Sequence, residues 1–396
     1  MEDIYIVGGV RTAVGDFGGS LKGFMPAELG TLVAVEALKR AGVEPEAVEH
    51  VVIGQVMPTS ARDQMLARVI GINAGVPVAT PALTLNRLCG SGVQSIISSA
   101  QMMKLGEASI TLAGGAESMS NVPYHDHGVR WGRKMGANTQ EDALTLGLSD
   151  AIGGYHMGIT AENMAERYGI TREAMDALSV TSHQRAAHAI AEGRFKDQIL
   201  PVEVKTRKGV TVFDTDEHVK ADTTMDVLAK MRPAFKKDGS VTAGNASGIN
   251  DGAAAVVLAT GTEVEKRGLK PLARIVAWGH AGVEPEYMGE GPIQAVPIAL
   301  KRAGLALDQI DVIESNEAFA AQACAVINAL GLDPDKVNPN GSGVSIGHPV
   351  GATGTMLTVK CAYELQRIGG RYGLITMCIG GGQGIALIIE NVEHAA

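Results

Sequence analysis

Apolar residues along this chain recur in two stretches of the same design. After Cys89-Gly90-Ser91-Gly92, the positions Val93, Ile96, Ile97, Ala100 and Met103 repeat at a spacing of three and four. That spacing predicts a helix with one buried stripe, ended by Gly106. A strand follows at Ser109-Ile110-Thr111-Leu112, and Gly114-Gly115 reads as the turn that closes it. After His348-Pro349-Val350-Gly351 comes a second run of helix length with Met356, Leu357, Leu365 and Ile368. Gly369-Gly370, the strand 374–378 and Gly380-Gly381-Gly382 then appear in the same order.

The correspondence extends upstream. Ala-Leu-Lys-Arg-Ala-Gly occurs at 37–42 and again at 299–304. Each copy leads through an apolar segment, Val51-Val52-Ile53 in one case and Ile310, Val312 and Ile313 in the other. Cys89 lies 52 residues after Ala37, and His348 lies 49 after Ala299. The pattern implies a duplicated α/β fold, helices layered on mainly β sheets, with one reactive side chain at a helix start in each half. The two helix starts are expected to meet in one cleft.

Residues 119–248 have no counterpart in the second half. They read as an insertion, a lid that holds His156-Met157, an amphipathic helix from Arg172 to about Glu192 and a charged hairpin around 205–220. The domain boundaries expected are 1–118 completed by 249–268, an insertion over 119–248, and 269–396. From 201 to 240 there are 8 Lys or Arg against 7 Asp or Glu, in a chain whose net charge is −9. The near-neutral segment suits either a solvated surface or a landing place for phosphates.

Composition narrows the function. With 396 residues, 45% of them hydrophobic, and 50 glycines, the chain suits a tightly turned α/β enzyme. The acidic balance disfavours a nucleic-acid partner, which demands basic stripes. No apolar run approaches the ~20 residues of a membrane helix. The acidic N-terminus leads directly into a strand, so no signal or transit segment is expected and the default location is the cytoplasm. Cys89, Cys324, Cys361 and Cys378 are far apart with no Cys-x-x-Cys, which argues for free thiols and against zinc.

Cys89 precedes a glycine-rich helix start, whose N–H groups and positive potential are expected to lower its thiol pKa. A neutral His348 at the matching helix start is placed to take the thiol proton. Cys378 ends a buried strand, where α/β folds face their ligands. Cys324 and Cys361 read as core. Gly343-Val344-Ser345-Ile346-Gly347 resembles a hydrolase motif, but Asn338-Pro339-Asn340-Gly341 before it does not form the required strand. The glycines at 380–384 run into a strand rather than a helix, so they are no dinucleotide fingerprint. His125-Asp126-His127 lies among loop residues without a helical partner, and no metal is expected.

Together, Asn86-Arg87-Leu88-Cys89-Gly90-Ser91-Gly92, Gly114-Gly115-Ala116-Glu117-Ser118-Met119, Asn316-Glu317-Ala318-Phe319, Gly347-His348-Pro349 and Cys378-Ile379-Gly380 resemble the thiolases. The resemblance runs from Arg11-Thr12 to the final strand. It implies duplicated βαβαβαββ domains in an α-β-α-β-α layering, with an inserted loop domain. It also implies transfer of an acyl group by Cys89, activated by His348, while Cys378 moves a proton at the α-carbon of acetyl-CoA. Asn316, through a water, and His348 would form one oxyanion hole, and the backbone N–H groups of Cys89 and Gly380 the other.

Coenzyme A would enter only as substrate and product. By match it would meet His156, Met157, Lys220, Phe235, Ala243, Ser247, Ile249, Ala318 and Phe319, with Met157 and Met288 flooring the acyl pocket. Lys220 stands where many thiolases carry Arg, which changes the phosphate contact. Asn340-Gly341-Ser342-Gly343 is similar to the β-ketothiolases of polyhydroxyalkanoate producers, which implies a broader acyl pocket. The partners implied are acetyl-CoA, short acyl-CoA and 3-ketoacyl-CoA, in a homotetramer. A decarboxylating ketoacyl synthase and a non-catalytic acyl-CoA carrier are the rival readings, separable by carbon dioxide release from malonyl-CoA and by acetylation of Cys89.

Overall fold

The structure is a computed structural model that describes residues 2–207 and 209–394. Its first half begins with β1 (Ile4–Thr12) and α1 (Pro26–Ala41), then β2 (His50–Gly54) and β3 (Ala82–Leu85). Next come α2 (Ser91–Lys104) and β4 (Ile110–Ser118). The intervening segment carries α3 (Met157–Tyr168), α4 (Arg172–Ala191) and a hairpin of Val202–Thr206 with Gly209–Phe213. After it comes β5 (Asn250–Thr260). The second half runs β6 (Ala273–Gly282), α5 (Gly291–Ala303), β7 (Val312–Ser315), α6 (Ala320–Leu330), α7 (Val350–Ile368), β8 (Tyr372–Ile379) and β9 (Gln383–Asn391).

Both copies of the repeated hexapeptide are helix ends, and the reason is local. Each places Lys and Arg in the last turn, where they oppose the negative end of the dipole. Each then ends on a left-handed glycine, Gly42 at φ 65° and Gly304 at φ 68°, which lets the final carbonyls find donors. The start of α1 is fixed as well: Pro26 opens it, and Glu28 accepts from the Met25 N–H at 2.8 Å.

The strands are ordered β7-β8-β9-β6-β1-β5-β4-β2-β3. Read outward from the centre, β1-β5-β4-β2 and β6-β9-β8-β7 are the same sequence of pairings: antiparallel, antiparallel, parallel. The two half-sheets are joined by the pairing of Tyr5 with Arg274 and Ile6 with Ala273. Helices α2 and α7 lie between the half-sheets in one shared core, where Val93, Ile96 and Ile97 pack with Leu357, Val359 and Leu365. Helix α1 covers the outer face of one half-sheet and α5 that of the other, completing the expected layers.

Where α2 and α7 cross, a Cβ on Gly92 would meet the Thr355 backbone nitrogen at 2.6 Å, and one on Gly354 would meet Val93. Two glycines therefore allow the helix backbones to touch. Gly354 is 262 residues after Gly92, the same offset that separates Ala299 from Ala37. This register corrects the pairing expected from spacing alone: the counterpart of Cys89 is Gly351, and that of His348 is Asn86.

Gly114-Gly115 are not a turn. They lie within β4, every residue of which is buried. A Cβ on Gly115 would strike the Gly351 carbonyl, so the small residues let α7 approach the strand. Gly380-Gly381-Gly382 do form a turn between β8 and β9, with Gly381 at φ 74° and Gly382 at φ 79°.

Helix α4 starts and stops as expected, but its buried stripe is small or polar: Asp176, Ser179, Ser182 and His183 alongside Met175, Ala186 and Ala189. Ser182 hydrogen-bonds to the buried Glu317 at 2.6 Å, which explains a hydroxyl on that face. Cys361 is buried, whereas Cys324 is only half-buried, its burial nonetheless raising the thiol pKa to about 11. The four cysteines are free.

Candidate active site

Cys89 precedes Gly90, the residue that caps α2. The turn before it is tight, with Leu88 in the left-handed region at φ 45°. For a branched residue that conformation costs roughly 1–2 kcal/mol, so neighbouring groups must hold it. They do: the Leu88 N–H donates to Asn86 Oδ1 at 2.8 Å, the Arg87 N–H to Ser91 Oγ at 2.8 Å, and Ser91 Oγ to the Leu88 carbonyl at 2.7 Å.

The backbone N–H groups of Gly380 and of Cys89 itself pull the Cys89 thiol pKa down. Both favour a thiolate, as expected of this location. Burial nevertheless outweighs them and pushes the thiol above its ordinary value, with Glu117 acting in the same direction. The expectation of a thiol acidified by the helix start is therefore reversed, and deprotonation needs a base.

His348 is buried at the start of α7 and has the properties of that base. Its N–H donates to Asn250 Oδ1 at 2.8 Å. Thr353 Oγ1 donates to the Pro349 carbonyl at 2.9 Å and lies 2.6 Å from His348 Nδ1. Its single proton being so engaged, the hydroxyl accepts from Nδ1–H, which leaves Nε2 unprotonated. Asn316 Nδ2 faces that nitrogen at 3.4 Å. Burial with no compensating anion pushes the imidazole pKa down to about 4, so the ring is neutral near pH 7.

Asn316 is fully buried, and its Oδ1 has no partner in the structure. Its backbone N–H donates to the Thr376 carbonyl at 3.0 Å, which ties it to β8 two residues from Cys378. Asn338 Nδ2 braces the flanking residues, donating to the Ser315 carbonyl and to Glu317 Oε1, both at 2.9 Å. Cys378 pairs with Gly384 at the end of β8 and is fully buried. Burial raises its thiol pKa strongly, and Cys89 raises it further, so the two sulfurs share one electrostatic environment.

The expected coenzyme A residues largely gather beside Cys378. Met164, Met288, Ala318, Phe319 and Cys378 form one buried cluster, against which Met157 and Phe235 pack. His156 caps α3 through Nδ1 and stacks on Phe235 with centroids 4.8 Å apart. Phe235 meets Phe319 edge-on at 6.0 Å. The Ser247 N–H donates to the Ala318 carbonyl at 3.0 Å, with Ala243 and Ile249 exposed on either side of it in the chain. Lys220 belongs to a different group: its ammonium lies 3.2 Å from Asp16, and its N–H meets His183 Nδ1 at 3.1 Å.

Thr353, Asn250 and Glu117 escaped the sequence reading. The only signal for the first two was position, a hydroxyl one turn into the helix after His348 and an amide opening a strand that becomes apolar three residues later. Among the described residues no His, Cys, Asp and Glu side chains gather as a metal site, and His127 of the 125–127 triplet pairs with Glu141 in solvent.

Comparison with known proteins identifies the family. The model for the thiolase N-terminal domain matches residues 4–262, and that for the thiolase C-terminal domain matches 269–391. Beta-ketothiolase BktB of Cupriavidus necator is 58% identical over 99% of this chain and 100% of its own. An acetyl-CoA acetyltransferase of Pseudomonas aeruginosa is 49% identical over the same shares. The crystal structure of human mitochondrial 3-ketoacyl-CoA thiolase in complex with CoA superposes with a TM-score of 0.96 at 44% identity, covering 98% of both chains. A cysteine at one helix start, a neutral histidine at the other and a second cysteine beneath the glycine turn thus lie within a fold and a sequence that belong to the thiolase family.

Proposed function

We infer that this chain catalyses the reversible condensation of acetyl-CoA with acetyl-CoA or a short acyl-CoA, yielding a 3-ketoacyl-CoA and free CoA. The observation that carries the reading is the neutral His348 imidazole, 2.6 Å from Thr353 Oγ1 and facing Asn316, with Cys89 at the start of α2 and Cys378 buried at the end of β8. His348 Nε2 removes the Cys89 proton. The thiolate attacks the acyl-CoA carbonyl, a sulfur–carbon bond forms, and CoA leaves with the proton. Acetyl-CoA then binds, Cys378 gives its thiol proton to the neutral His348, and the Cys378 thiolate takes a proton from the α-carbon; the imidazolium later returns its proton to the departing Cys89 thiolate. The resulting carbanion attacks the acyl group on Cys89, and the Cys89 thiolate departs. Ping-pong kinetics follow from the covalent intermediate.

Oxyanion stabilisation divides between two places. The N–H groups of Gly380 and Cys89, which favour a thiolate at sulfur 89, serve the oxygen of a carbonyl bound to that sulfur. Asn316 Nδ2, with His348 and a water, serves the thioester oxygen of the second substrate. His156, Met157, Phe235, Ala243, Ser247, Ile249, Ala318 and Phe319 line the path of CoA, with Lys220 toward its phosphates, and Met288 limits the acyl chain. Exposed Trp131, Met135 and Ile152 in the inserted segment support assembly into a homotetramer. No helix among the described residues is long and apolar enough to cross a membrane, and the cytoplasm is the proposed location.

Thiolysis of 3-ketoacyl-CoA esters with four, five and six acyl carbons tests the reading. Radiolabelled acetyl-CoA is expected to label Cys89 in the parent and in Cys378→Ser, and not in Cys89→Ser. Failure of the parent to accept label at Cys89 overturns the mechanism.

A further inference from the structure

Glu117 lies near the end of β4 and is fully shielded from water. Its carboxylate accepts three backbone N–H groups, from Val56 at 3.0 Å, Met57 at 3.1 Å and Gly351 at 2.8 Å. Two of these donors belong to the first half, and the third is in the first turn of α7, three residues after His348. The chain of contacts continues from Val56. Its carbonyl accepts from Asn86 Nδ2 at 3.2 Å, and Asn86 Oδ1 holds the Leu88 N–H at 2.8 Å, directly before Cys89. Val56 and Val350 also share the apolar cluster against which Leu88 and Cys89 pack.

We propose that Glu117 is a positioning residue, a strut that holds the Cys89 turn in fixed relation to the helix start bearing His348. This rests on Cys89 being the nucleophile. The two ends of the strut coincide with the internal duplication, since Gly351 is the counterpart of Cys89 and Asn86 that of His348 under the 262-residue offset. Carboxylate chemistry suits this role, because two oxygens that only accept satisfy three donors, whereas an amide turns an NH2 group toward one of them. The same contact closes the second half to a nucleophile, because a Cβ on Gly351 would lie 2.7 Å from Glu117 Oε2 and 2.8 Å from the Gln55 Cα. Burial holds the Glu117 pKa up, at about 7, against the pull of its three donors, and the other ionisable groups acting there are Asp63 and the Cys89 thiol.

The test compares Glu117→Gln and Asn86→Ala, singly and together, in the full-length enzyme. Asn86 is exposed, so its variant reads the strut even where Glu117→Gln fails to fold. Acetyl labelling of the parent at Cys89 first verifies the nucleophile, independently of the strut. Each single variant is expected to keep its KM for CoA within about twofold and to lose kcat by about tenfold to 10²-fold, the scale of a small misplacement. The double variant is expected to lose less than the product of the two, since both break one chain of contacts. Loss of the repelling carboxylate is expected to move the midpoint of Cys89 alkylation to lower pH in Glu117→Gln, and to leave it unmoved in Asn86→Ala. Parental kcat in Asn86→Ala, multiplicative losses in the double variant, or an unmoved midpoint in a folded Glu117→Gln overturns the proposal.

Discussion

The starts of α2 and α7 are the same place in two copies of one fold, and they do different work. They meet at Gly92 and Gly354, and each opens a helix lying in the shared central layer. Yet the first carries Cys89 where the second has Gly351, and the second carries His348 where the first has Asn86. The frame is therefore symmetric, while the residues at its corresponding positions are not. On the proposed mechanism the nucleophile and its base come from opposite copies, so neither half holds the chemistry alone.

The sharpest way to break the comparison is at the nucleophile. Cys89→Ser is expected to lower kcat by on the order of 10⁴-fold or more, read in thiolysis, because no other group replaces the covalent carrier. Asn316→Ala comes next. Removal of one oxyanion donor is expected to cost 10²–10³-fold in kcat, about 3 kcal/mol, with KM for CoA little changed.

The histidine side of the comparison has a pH signature. His348 is neutral when folded, with a pKa pushed to about 4, below the ordinary value of 6.5. As acid is added the unfolded chain binds the proton first, so the stabilisation is complete above pH 6.5 and is lost as pH falls toward 4. His348→Gln is expected to flatten that acid limb by up to roughly 3 kcal/mol, measured by denaturant unfolding at several pH values. His183 and His280, also lowered to about 4, keep part of the slope.

The helix crossing is sharpened by filling it. Gly354→Ala is expected to destabilise by about 1–3 kcal/mol, because the added methyl meets Val93, and this exceeds alanine's gain in helix propensity. Cys324→Ser marks the lower end. The half-buried thiol lies 3.8 Å from the Ala174 carbonyl and packs at the edge of the cluster that holds Met164 and Phe319, contacts that a hydroxyl largely keeps, so stability and kcat are expected to stay within about 0.5 kcal/mol of the parent.

Much of this was legible in the chain. The repeated hexapeptide is a helix end whose basic turn and left-handed glycine are local properties, and it marked the duplication before any fold was known. The layered α/β class, both cysteines, His348 and the insertion's helix followed from spacing and motif. What needed the structure was register. The hexapeptide offset of 262 already pairs Cys89 with Gly351 and Asn86 with His348, whereas the distances 52 and 49 pointed to Cys89 with His348, and only the packed backbones of α2 and α7 show which of the two holds. Gly114-Gly115 misled for the same reason: a close approach by another segment and a turn both call for glycine, and sequence does not distinguish them.

Local chemistry alone determined where helices stop, which stripes are buried and which side chains are candidates for reaction, since those depend on neighbours within a turn or two. Tertiary structure decided the rest. It raised the Cys89 thiol where the helix start argued for lowering it, because burial depends on what the whole chain folds over the sulfur. It set the imidazole tautomer through Thr353, and it brought Glu117 onto donors 61 residues before it and 234 residues after it. Forces that act through space, desolvation and long-range hydrogen bonding, have no imprint in the order of residues until the fold brings distant segments into contact.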